Sequence, residues 1–222
     1  MWDLPTRLFH WLFAISMVGA YFSGENDLID WHARLGLVIA GLLLFRFFWG
    51  LFGPHAARFS TMLEQLSQLR PYLWQGRAQL KALRHGQPTP LSEPQIQPQL
   101  GHNPLGVISV FAILAIATVS VISGLFNTDD VLFEGPLYPL APGLSPLMSE
   151  IHELVYPLFL IWVAAHILAL IIHQWVLKEK LVERMSLTPA QQGQPSTERG
   201  TLFWGLSLLS ACQASVWLSL GL

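Results

Sequence analysis

The stretch from Ile151 to Leu177, IHELVYPLFLIWVAAHILALIIHQWVL, constrains this chain more than any other. It is long and apolar enough to cross a bilayer, which takes about 20 mostly apolar residues. Yet it carries His152, His166 and His173. A polar ring inside a membrane helix costs free energy unless it has a partner. The steps between these histidines are 14 and 7 residues. At about 100° per residue, both steps return to nearly the same helix face. His152 and His166 then lie roughly 21 Å apart along the axis, close to the separation between the two halves of a bilayer. Any fold for this chain has to bring partners to that stripe at two depths.

Composition agrees with a membrane location. Only 12% of the residues are charged and 52% are hydrophobic, whereas a soluble domain is about a quarter charged. The nine tryptophans suit the membrane–water boundary. A net charge of −2 offers no basic surface for nucleic acid. Cys212 alone builds neither a disulfide nor a cysteine-ligated metal site. Arg7 followed by an apolar run mimics a signal peptide, but no small-residue cleavage site follows and His10 is out of place there. The run reads as a retained first span.

Five apolar segments result: Pro5 to Gly24, Trp31 to Phe52, Leu105 to Phe126, Ile151 to Leu177 and Leu202 to Leu222. The expected fold is all-α: a polytopic transmembrane four-helix bundle, with a fifth, C-terminal transmembrane helix. Residues 1–177 form the bundle with an inner loop at 53–103, residues 178–201 a cytoplasmic linker, and residues 202–222 the last span. No internal repeat is evident. The loop GENDLID and the loop from Asn127 to Glu150 carry acidic but no basic residues. Arg58, Arg70, Arg77, Lys81 and Arg84 fall in the inner loop, and Lys178, Lys180 and Arg184 follow the fourth span. This alternation places the N-terminus in the cytoplasm. Phe59 to Leu83 reads as an amphipathic segment interrupted at Pro71. GQPTPLSEPQIQPQ reads as an extended linker, with Asn103 as an N-cap before Pro104. VLFEGPLYPLAPGLSPL reads as a compact non-helical cover on the outer side.

With that topology, His32 and His152 share the outer depth. His10 pairs on the inner side with His166 or, as the weaker candidate, with His173, which sits near the interface beside Gln174 and Trp175. A lone histidine in a membrane helix is as often a satisfied polar group as a ligand. Four in two depth-matched pairs point to ligation. Two opposed imidazoles suit a haem b iron with both axial positions filled, which leaves no site for oxygen and favours electron transfer. Gly36 lies one turn from His32, where a missing side chain admits a flat macrocycle; close helix packing is the alternative reason for it. Arg7 and Arg34 are candidates for pairing with haem propionates, although Arg7 also serves as an ordinary inside charge. Arg46 is expected to snorkel toward the cytoplasm, and Pro157 to bend the fourth span below His152. His102 could cap the third span or touch a quinone or haem edge.

WDLPTRLFHW, DWHARLGL, GHNPLG and IHELVYPLFLIWVAAH together resemble the bacterial cytochrome b561 family and the related b-type subunit of nickel–iron hydrogenases. The resemblance covers the first four spans. It implies two haems b held by His10, His32, His152 and His166, a bacterial inner-membrane location, and electron transfer between membrane quinone and a periplasmic redox partner such as a cytochrome c or a hydrogenase. The proline-rich inner loop and the fifth span depart from the family pattern. Two other classes of function stand beside this one: a histidine-based proton or metal transporter, and a passive membrane anchor for a catalytic subunit.

Overall fold

Inside a bilayer each backbone N–H must be satisfied within its own segment, and the apolar runs of this chain are helical accordingly. The computed structural model describes residues 2–85, 104–128, 133–176, 182, 185–186 and 195–219. We number the helices α1 (Leu4–Glu25), α2 (Ile29–Phe52), α3 (Phe59–Leu66), α4 (Leu69–Arg84), α5 (Pro104–Leu125), α6 (Ser145–Ile171) and α7 (Pro195–Ser219). Among the described residues the only β feature is an isolated bridge between Thr128 and Glu134. Prolines sit in the first turns of α1, α5, α6 and α7, where a missing N–H costs no helix bond.

Four stretches are long and apolar enough to cross a membrane: Ile29–Phe52, Pro104–Leu125, Pro142–Trp175 and Gly200–Ser219. The first expected span, α1, has 22 residues. It is more polar than these, with Arg7 and His10 near one end and Glu25 at the other, and it packs along α2.

Two helical hairpins, α1–α2 and α5–α6, meet where α2 touches α5, and α7 docks on α2 and α1. Phe9 and Phe13 of α1, Leu42 and Phe45 of α2, Ala117 of α5 and Cys212 of α7 share the core. α2 is central: its most apolar window is 44% buried, against 11% for those of α5 and α6. α7 is held by Gln213, whose Nε2 donates to the Val38 carbonyl at 2.9 Å. The Gln213 side chain occupies the slot beside Gly41, where a Cβ would come within 2.6 Å of it. α6 packs chiefly on α5 and meets α1 and α2 through single side chains, Tyr156 on Tyr21 and His152 opposite His32.

Several expectations need correction. The break in the inner loop falls at Ser67–Gln68, not at Pro71, which lies in the first turn of α4. α3 is also not a free surface segment. Phe59 fills the place a Cβ on Gly50 would take, 2.3 Å away, and packs on Phe111 with ring centres 5.5 Å apart. Arg46 does not snorkel: it is 3% exposed, donates to the Ala57 carbonyl at 3.2 Å and lies over the Phe59 ring at 4.7 Å. On α4, Leu73 and Trp74 are exposed between Arg70 and Arg77, as an amphipathic segment requires. The outer loop is only partly irregular, since it forms two short 3-10 turns, Tyr138–Leu140 and Pro142–Leu144, and α6 begins at Ser145, ahead of Ile151. α7 starts at Pro195, before the apolar run at Leu202. His102, the Asn103 cap and the proline–glutamine linker lie outside the described residues.

Candidate functional site

The outer histidines come from different hairpins and face each other. The ring centres of His32 on α2 and His152 on α6 are 6.0 Å apart, with their planes crossed at 84°. Each ring is held from behind by its own hairpin partner. His32 Nδ1 lies 2.8 Å from the Ala20 carbonyl of α1. His152 Nδ1 lies 2.9 Å from the Ser120 carbonyl of α5 and 3.2 Å from Ser123 Oγ. A carbonyl oxygen only accepts, so Nδ1 of each ring carries the proton and the lone pair is left on Nε2. That is the tautomer of a metal-ligating imidazole with a supporting backbone partner.

The inner histidines are held more loosely. His10 lies on α1 and His166 on α6. His166 Nδ1 is 3.5 Å from Ser109 Oγ, at the outer limit of a hydrogen bond. His10 Nδ1 is buried and, among the described residues, has no hydrogen-bond partner. A buried polar nitrogen left unpaired is costly. His173 is buried in a π-helical turn, Ile172–Val176. That turn changes the residue count that put it in register with His166. Among the described residues no three or more His, Cys, Asp or Glu side chains cluster as a metal site.

Residues 1–186 match the prokaryotic cytochrome b561 family. The chain belongs to that family. No curated protein and no solved structure matches it. This cytochrome b561 is thus a transmembrane b-type cytochrome of electron transfer, and haem b is the group its site has to hold.

The residues fit that group. Two imidazoles ligating one metal from opposite sides need ring centres about 6 Å apart, from two metal–nitrogen bonds of about 2 Å and about 1 Å from each nitrogen to its ring centre. The outer pair meets this at 6.0 Å. Gly36 separates its two sequence-level explanations. A Cβ there would meet nothing within 4 Å, so Gly36 borders open space and does not serve helix packing. In α2, Gly41 and Gly50 by contrast back directly onto side chains.

The two arginines singled out by sequence are placed differently. Arg34 is exposed and lies over the Trp31 ring at 5.7 Å, near the outer pair. Arg7 is buried, and its Nη1 donates to the Ser186 carbonyl at 2.8 Å. Beside it, Trp11 Nε1 donates to the Met185 carbonyl at 2.8 Å. Arg7 thus ties the chain beyond α6 to the start of α1. A further group escaped the sequence reading: Tyr156 stacks on Tyr21 with ring centres 5.8 Å apart and donates to Glu25 at 3.2 Å, linking α1 to α6 at the outer end.

Proposed function

We propose that this cytochrome b561 carries electrons across a bacterial inner membrane through two bis-histidine haems b, between the quinone pool and a periplasmic redox partner of the cytochrome c or hydrogenase kind. The observation that carries the reading is the outer pair. Two Nδ1-protonated imidazoles from separate hairpins stand with ring centres 6.0 Å apart, each backed by a carbonyl. Haem b, when bound, supplies a one-electron couple at each centre.

The chain's own residues do the rest. His32 and His152 hold the outer centre, and His10 and His166 the inner. A haem b held by two imidazoles would have no protein-free site for oxygen, which favours electron transfer. The lone pair of each ligating ring, not a proton, faces the metal, so burial of the imidazoles is offset by coordination. Gly36 leaves room beside His32, and Arg34 and Arg7 supply positive charge at the outer and inner ends. The step of 14 residues between His152 and His166 separates the centres by roughly 21 Å along α6. The acidic GENDLID loop and the arginine-bearing α4 support an N-terminus in the cytoplasm.

The test is haem stoichiometry in the purified protein. We expect about two haems b per chain, a low-spin spectrum, and reduction by a soluble quinol analogue, as two bis-histidine centres require. Unchanged haem content in alanine variants of all four histidines would falsify the ligand set.

A further inference from the structure

The two outer histidines are held by the same local device, used twice. On α1 the segment Ala20-Tyr21-Phe22-Ser23-Gly24 faces His32, and on α5 the segment Ser120-Val121-Ile122-Ser123-Gly124 faces His152. In each, the carbonyl of the first residue lies within hydrogen-bond reach of the imidazole, at 2.8 Å from His32 Nδ1 and 2.9 Å from His152 Nδ1. In each, the serine Oγ donates to that same carbonyl, at 3.0 Å in both. The glycine of each segment lies against the ring, where an added Cβ would come within 3.1 Å of His32 Nδ1 or of His152 Cε1.

The physics of the device follows from helix geometry. The carbonyl of residue i bonds the N–H of residue i+4 and keeps a second lone pair. A side chain at i+4 would crowd the approach to that lone pair, and glycine removes it. The serine at i+3 turns its hydroxyl back onto the carbonyl, as serines in helices often do, and so stays out of the ring's path.

We propose that Ser23–Gly24 and Ser123–Gly124 are duplicated positioning modules, one per hairpin, that fix His32 and His152 in the Nδ1-protonated tautomer with their planes crossed. The modules preorganise the outer centre. Among the described residues the inner pair shows no counterpart: His10 Nδ1 has no hydrogen-bond partner and His166 Nδ1 has the long contact to Ser109. The proposal rests on the ligand reading above and adds what sets ring orientation.

The test uses the full-length holoprotein. Electron paramagnetic resonance of the oxidised form reports imidazole-plane orientation, since crossed planes give a strongly anisotropic low-spin signal. Potentiometric titration reports each centre separately. Gly24→Ala and Gly124→Ala should each reduce the anisotropy of the outer signal and weaken retention of the outer haem by at least about tenfold, the usual loss when the support behind a metal ligand is disturbed. The inner signal should stay unchanged and so report an intact bundle. Gly76→Ala, at a site with nothing within 4 Å and away from the histidines, should alter neither signal. His32→Ala separates the two claims. If it removes the outer signal while both glycine variants keep the wild-type signal, potential and retention, the modules are refuted and the ligand set stands. If it leaves the outer signal intact, the ligand set fails, and the modules fail with it.

Discussion

The outer and inner histidine pairs differ in how their rings are supported. At the outer pair each ring is fixed by a carbonyl of its own hairpin partner, at 2.8 and 2.9 Å. At the inner pair one Nδ1 is buried without a partner and the other reaches a hydroxyl at 3.5 Å. If both pairs ligate as proposed, the fold sets the ring geometry of the first and leaves that of the second to the bound group.

The largest effect that tests this difference comes from the ligands. His32→Ala and His152→Ala should each abolish the same outer haem, and His10→Ala and His166→Ala the same inner one, so haem content falls by about half in every case. Pyridine haemochrome quantification with redox titration decides it. Loss of both haems from an outer variant alone would mean that the inner centre depends on the outer.

A smaller effect is expected from filling the space beside His32. Gly36→Leu puts a side chain where nothing now lies within 4 Å. We expect outer-haem affinity to drop about tenfold, with thermal stability of the haem-free chain unchanged within about 0.5 kcal/mol. Lower stability with normal haem binding would return Gly36 to a packing role.

The smallest effect separates the two supporting serines. Ser123→Ala removes one of two acceptors from His152 Nδ1, and should raise the outer midpoint potential by about 20 mV, since a less supported imidazole is a weaker donor to the oxidised metal. Ser123→Thr should restore it. Ser109→Ala, at 3.5 Å from His166, should leave the inner potential where it was. Equal shifts at both centres would erase the contrast.

How much of this could be read from sequence varies by residue, for physical reasons. The step of 14 between His152 and His166 was legible because helical periodicity is rigid within a span. The same step separates Ser109 from Ser123 on α5, opposite those histidines, and was a signal available in the sequence. The carbonyls of Ala20 and Ser120 had no signature of their own, since every residue has one. The Ser-Gly pairs that expose them were visible as letters but not as a repeat, because the segments around them do not align. Pro71 misled because proline breaks a helix only beyond its first turn. Arg46 misled because a cation near a span's end can turn inward when aromatic faces and carbonyls receive it, as Phe59 and Ala57 do. The early start of α6 was hidden by Pro142 and Pro146, which read as loop residues but lie in a 3-10 turn and a first helical turn.

The way α6 is attached carries a consequence for how the protein is made. α6 packs mainly on α5, and it meets the other hairpin through Tyr156 on Tyr21 and His152 opposite His32. A haem held between His32 and His152 would add a further tie between the two hairpins. A group that binds only the folded form stabilises it by mass action, so the loaded protein should unfold at a higher temperature than the haem-free chain.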